Sequence, residues 1–163
     1  MMPKVALIMG SKSDWPSLKG CVNVLKSFDI EVEVHVASAH RTPEKVAVVA
    51  DKARENGFEA IIAAAGKAAH LAGVIAGHTT LPVIGIPVKS SFCDGLDSLL
   101  SVVQMPTGSP VATVAGGGGD NAAYLAAQML SIKYPHVAEK LAEHRVMMAE
   151  AIEADELAIA AEI

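Results

Sequence analysis

Short apolar runs alternate with longer amphipathic stretches along most of the chain, and that rhythm predicts its architecture. Lys4 to Met9 is a short apolar run, hence a buried strand. Val32 to Val36, Ala60 to Ala64, Pro82 to Ile86 and Pro110 to Val114 read as four more strands. Helical stretches lie between them. Asp14 to Phe28 carries Leu18, Val22 and Leu25 on one face and tolerates Pro16 in its first turn. Pro43 to Asn56 has Thr42 as an N-cap, a proline at the first helical position and Gly57 at its end. Ala68 to Gly77, Gly95 to Gln104 and Asp120 to Ile132 are three further helices, and His136 to about Ala160 is a long last one. Short strands alternating with helices imply a parallel sheet with helices on both faces.

No linker, repeat or low-complexity segment divides the 163 residues, which fit one α/β domain over 1–163. Its core spans 4–132, and the last helix, about 136–160, is an oligomerisation element. Val137, Leu141, Met148, Ile152 and Ile159 keep one apolar stripe along that helix at steps of four and seven. Roughly 25 residues at 1.5 Å each run nearly 40 Å. A domain of this size has a radius of gyration of only about 15 Å. The stripe is therefore expected to overhang onto a neighbouring subunit.

Composition sharpens the picture. The chain is 52% hydrophobic but only 4% aromatic. Much of the apolar content is alanine and valine, which suits tight helix packing and a buried parallel sheet. A positive mean hydropathy agrees with apolar surface buried by other subunits. The net charge of -5 offers no basic stripe to displace counterions, so nucleic acid is not an expected partner. No apolar run reaches the ~18 residues of a membrane span, and no leader-like segment precedes the first strand. A cytoplasmic protein is expected. Cys21 and Cys93 have no metal-ligand spacing and read as packing thiols in a reducing compartment. No His, Asp and Glu set has metal spacing either, so no metal is expected.

The candidate chemistry sits in loops after strands. Ser38-Ala39-His40-Arg41-Thr42, followed by Pro43, places a histidine beside an arginine where a strand gives way to a helix. In an open parallel sheet, ligands bind outside the carboxyl ends of the strands. Histidine suits proton transfer near neutrality, and arginine's fork of donors fits phosphate or carboxylate. The first strand ends in Met9-Gly10-Ser11-Lys12-Ser13-Asp14-Trp15. Backbone N–H groups and two hydroxyls there make a phosphate cradle, or Ser13 or Asp14 is only an N-cap. The segment is neither a P-loop nor a GxGxxG, so nucleoside triphosphates and dinucleotides lose support. After the third strand, small residues from Ala63 to Gly73 permit close backbone approach to a ligand. His70 there is either a second polar group of the site or a residue packed at a helix start. His35, His78, His136 and His144 read as surface or packing residues. The run Gly116-Gly117-Gly118-Gly119 gives up side-chain contacts at an entropic cost, which suits a ligand loop, or it is merely flexible.

Together these segments resemble the PurE family, the class I N5-carboxyaminoimidazole ribonucleotide mutases of purine biosynthesis. The resemblance rests on the loops at 9–15 and 38–43, on Ala68-Ala69-His70-Leu71, on Pro82 to Val88 and on Gly95 to Pro106, and it runs from about Val5 to Leu130. It implies a flavodoxin-like three-layer α/β/α sandwich with a five-stranded parallel sheet, assembled as a homo-octamer. It also implies carboxylate transfer from N5 to C4 of the imidazole ribonucleotide without metal, cofactor or ATP. His40 matches the general acid and base. Arg41, Ser13 and Ser38 match the phosphate contacts, and Ser11 and Asp14 match residues holding the ribonucleotide. Ala65, Gly66, His70 and Leu71 complete the expected substrate-binding set. Class II carboxylases, which use free CO2, carry a different third loop. A non-catalytic nucleotide-binding paralogue would not need His40. The chain departs from the usual Gly-Gly-Ala-Ala-His-Leu-Pro-Gly at Lys67 and Ala72, and its segment 116–119 replaces a more varied loop. Lys67 could meet the substrate carboxylate, fill the pocket or face solvent. An unpaired inward lysine is costly to desolvate, so solvent is expected.

Overall fold

The computed structural model describes residues 2–163. Five strands form one sheet: β1 (Lys4–Met9), β2 (Glu31–Val36), β3 (Ala60–Gly66), β4 (Val83–Val88) and β5 (Ala112–Thr113). Their order is β2-β1-β3-β4-β5, and every pairing is parallel. This is the flavodoxin-like doubly wound order, whose switch point lies between β1 and β3. The helices are α1 (Trp15–Ser27), α2 (Pro43–Asp51), α3 (Leu71–His78), α4 (Leu96–Val103), α5 (Gly119–Ser131) and α6 (Pro135–Ala160).

Side chains alternate across a strand, and β1 uses both directions for core. Val5, Leu7 and Met9 pack with Leu18, Cys21 and Leu25 of α1 and the alanines of α5. Ala6 and Ile8 pack on the other face with Val46 of α2, Leu71 and Ile75 of α3 and Val102 of α4. The result is the three-layer sandwich expected from the sequence. Burial pushes the Cys21 thiol up to about 12, with Asp120 adding to the shift, so Cys21 is an inert packing residue. β2 lies at the sheet edge, where Glu31 and Glu33 reach Lys4 at 3.5 and 3.0 Å. Charges of this kind blunt an edge against further strand pairing.

Several element ends differ from the sequence reading. α2 stops at Asp51, and residues 52–57 continue as tight turns, with Ala53 N–H on Ala50 and Gly57 N–H on Arg54. Thr42 does not cap α2 with its side chain. Its hydroxyl instead accepts the Ser38 N–H at 2.9 Å. α3 begins at Leu71 rather than Ala68, because Lys67 turns the chain at φ = 56° and His70 N–H closes on Ala68 at 2.9 Å. β5 shrinks to two residues. α6 begins on the core, with Val137 buried and Leu141 half-buried. From Arg145 onward every residue is exposed, and Met148, Ile152 and Ile159 stand 48%, 69% and 62% open.

Candidate active site

Four loops at the carboxyl ends of β1 to β4 enclose a cleft of about 590 Å³. Ser11, Ser13, Asp14, Ser38, His40, Arg41, Ala65, Gly66 and Leu71, all singled out from sequence, line it. Arg41, Lys67 and Lys89 line it beside the carboxylate of Asp14, with Lys89 paired to Asp94 at 2.5 Å. In a chain of net charge -5, that local excess suits an anionic ligand.

The loop after β1 is shaped by its own hydroxyls. Gly10 N–H still bonds Ala64 of β3 at 3.1 Å, and the chain then turns. Ser11 is extended and caps a 3-10 turn over Lys12–Asp14. Its Oγ accepts the Ser13 N–H at 3.3 Å, while the Asp14 carboxylate accepts the Ser11 N–H at 3.2 Å, a reciprocal capping box. The cap is thus Ser11, with Asp14 closing the box. Ser13 Oγ donates to Ser11 Oγ at 2.9 Å. Partial burial pushes the Asp14 carboxyl above its usual value, against the opposing pull of Ser13, the Ser11 N–H and the Arg41 charge. A carboxylate short of solvent in a cleft is suited to hydroxyl donors from a ligand.

The loop after β2 is cross-braced. Ser38 Oγ accepts from the Arg41 backbone N–H at 3.2 Å and from Arg41 Nε at 3.4 Å. Arg41 Nη2 donates to the Gly10 carbonyl at 2.8 Å, tying this loop to the one after β1. The remaining guanidinium donors stay free for an anion. Beside it, His40 Nε2 lies 3.0 Å from His70 Nδ1, with the rings edge to face. One ring must donate and the other accept, so a single proton fits between them. His70 does not itself line the cleft and meets it only through His40. It also occupies the N-cap position of α3 without a side-chain cap bond.

β3 delivers Ala65 and Gly66. A Cβ on Gly66 would stand 3.0 Å from the Val88 carbonyl, so the small residue lets the β3 and β4 ends approach closely. Lys67 is exposed, as expected, and it also lines the cleft. Val88 at the end of β4, with Lys89 and Ser90 beyond it, also lines the cleft, and none of the three is among the expected site residues. Ser90 Oγ is fixed by Asp97 at 2.6 Å. The strand runs two residues past the expected end at Ile86, with Pro87 paired opposite Ala65. The strand-end rule, applied to a strand carried through Pro87, would have found them.

The glycine run does not reach the cleft. Gly119 starts α5 against α1, where a Cβ would lie 2.9 Å from the Ser17 carbonyl, and Gly117 N–H holds the Pro87 carbonyl at 2.8 Å. Close packing on α1 accounts for Gly119, and a left-handed backbone at φ = 69° accounts for Gly117. The other histidines are packing groups, as expected. His144 stacks on Tyr124, His35 meets Phe58, His136 meets Tyr134 and His78 bonds Asp51 at 3.1 Å. Among the described residues no cluster of three or more His, Cys, Asp or Glu side chains is placed to hold a metal, and no helix is long and apolar enough to cross a membrane.

The profile of the AIR carboxylase family matches residues 4–151. A protein of Pyrococcus abyssi named N5-carboxyaminoimidazole ribonucleotide mutase is 57% identical over 144 residues, 88% of this chain and 83% of its own. One of the same name from Thermotoga maritima is 53% identical over 147 residues, 90% of this chain and 86% of its own. The crystal structure of Treponema denticola PurE superposes with a TM-score of 0.87 at 30% identity, covering 94% of this chain and 96% of that one. The cleft at the strand ends, the family profile and this level of identity lead to one statement: the chain belongs to the AIR carboxylase (PurE) family.

Proposed function

We propose that the chain is an N5-carboxyaminoimidazole ribonucleotide mutase, acting in purine biosynthesis in the cytoplasm. The observation that carries the reading is the His40–His70 pair beside Arg41 in a cation-rich cleft. Arg41, Ser13 and Ser38 take the 5′-phosphate, since a dianion needs several charge-assisted donors. Ser11 and Asp14 take the ribose hydroxyls. Ala65, Gly66 and Leu71 receive the imidazole ring, their small or apolar surfaces letting it approach the backbone. The N5–carboxylate bond breaks, its electron pair returns to nitrogen, and His40 supplies the proton. The released CO2 stays in the cleft and is attacked by C4. His40 then removes the C4 proton, so the enzyme ends in its starting protonation state. No oxidant, metal or nucleotide triphosphate enters this balance.

The test is a direct assay of the purified protein with N5-carboxyaminoimidazole ribonucleotide, and separately with aminoimidazole ribonucleotide plus bicarbonate. Rapid conversion of the first supports the reading. Conversion of only the second would make the protein a carboxylase that uses free CO2. Binding without conversion of either would make it a non-catalytic nucleotide binder.

The whole chain is read as one functional unit, its core over 4–132 and α6 serving assembly. Leu96, Leu100 and Val103 of α4 are open apolar side chains, as are Met148, Ile152 and Ile159 on the second half of α6. Burying such area is worth about 25 cal/mol per Å². Light scattering at micromolar concentration is expected to report a closed homo-octamer. A well-behaved monomer with an ordered α6 would contradict this.

A further inference from the structure

Two lysines follow the paired ends of β3 and β4 and line the same end of the cleft. β3 and β4 pair with Ala65 opposite Pro87 and Gly66 opposite Val88. The next residue on each is a lysine, Lys67 and Lys89, and both line the cleft. Neighbouring strands lie about 4.8 Å apart, so two positive charges leave adjacent strand ends. Lys89 is offset, its Nζ lying 2.5 Å from the Asp94 carboxylate. Among the described residues Lys67 has no such partner. Its backbone sits at φ = 56°, a conformation that crowds a Cβ and that glycine adopts without cost. A strained, unpaired cation on the lip of a cleft is an outlier that points to function.

The other end of the cleft is cationic too, through Arg41 where the loops after β1 and β2 are tied. The histidine pair joins the loop after β2 to the loop after β3, and so stands between the two ends. We propose that Lys67, with Lys89 beside it, forms a second anion subsite that takes the carboxylate of the ribonucleotide, opposite the phosphate subsite at Arg41. This rests on the ribonucleotide reading of the cleft. A ligand anionic at both ends sets one anion at each cationic end and its reacting ring at the histidines. Lys67 remains solvated until that anion arrives, so the free protein suffers no burial of an unpaired charge. The subsite prefers the carboxylated ring over the bare one.

Calorimetric titration with the C4-carboxylated product and with uncarboxylated aminoimidazole ribonucleotide tests this. Lys67→Gly relieves the left-handed strain, so the variant is expected to fold. It should weaken the carboxylated ligand by about tenfold and leave the uncarboxylated one within about twofold. Lys67→Arg should restore the preference, and raising salt to about 0.5 M should shrink it in the wild type. Asp94→Asn, which frees Lys89, should tighten the carboxylated ligand, and unchanged affinity there would remove Lys89 from the subsite. Equal losses for both ligands in Lys67→Gly, or no loss, overturn the proposal. Wild-type protein that binds neither ribonucleotide overturns the ribonucleotide reading itself, a result distinct from binding both without discrimination.

Discussion

His40→Asn is expected to lower kcat about a thousandfold while leaving ribonucleotide affinity within about tenfold. Asparagine is polar and smaller than the imidazole, so it fits the cleft without a clash, although it stops short of the Nε2 position that meets His70. It cannot take up a proton near neutrality, and both halves of the reaction need one moved. His40 is suited to that task because its Nε2 is 3.0 Å from His70 Nδ1. The proton it gains has a defined position, and its ring has a defined orientation. General acid–base catalysis of this kind contributes roughly 10²–10⁴-fold, which sets the size of the loss. His70→Asn should cost less, since it removes the orienting partner but leaves the base. Single-turnover kinetics beside equilibrium titration separate the two quantities. Turnover of His40→Asn near the wild-type rate would remove His40 from the chemistry.

Arg41→Ala should cost about 1.5–3 kcal/mol in binding the ribonucleotide, some tenfold to 150-fold, and far less for the unphosphorylated nucleoside. The guanidinium already holds Gly10 and Ser38, so its loss also loosens two loops. That loosening affects both ligands. The difference between them isolates the phosphate. Arg41→Lys should recover only part of the loss, because an ammonium keeps the charge without the planar fork. Titration of both ligands against each variant measures this. Equal losses for nucleotide and nucleoside would place the phosphate elsewhere.

The central strands were legible because β1, β3 and β4 are buried on both faces and so appear as unbroken apolar runs. The loops after β1, β2 and β3 were legible because strand ends in a parallel sheet gather ligand groups. Other features depended on contacts a linear pattern does not carry. His40 and His70 are 30 positions apart, and no periodicity brings their rings to 3.0 Å. α3 begins three residues late because a single left-handed residue, Lys67, delays it. The glycine run looked like a ligand loop because an entropic cost calls for a reason. For Gly119 the reason is the nearness of α1 to α5, a tertiary fact. Lys89 and Ser90 follow a strand that runs two residues past its expected end at Ile86, with Pro87 paired opposite Ala65.

The tether from Arg41 to the Gly10 carbonyl has a thermodynamic consequence. Ser38, Arg41 and Gly10 are already fixed to one another before any ligand arrives. Immobilising a flexible, rotamer-rich side chain on binding costs about 0.5–1.5 kcal/mol. Here that ordering belongs to folding. Association with an anion therefore begins from a pre-ordered receptor, and what it must exchange is mainly water for the oxygens of that anion. Weakening the fold around these loops would then be felt as weaker binding even where every contacting side chain remained in place.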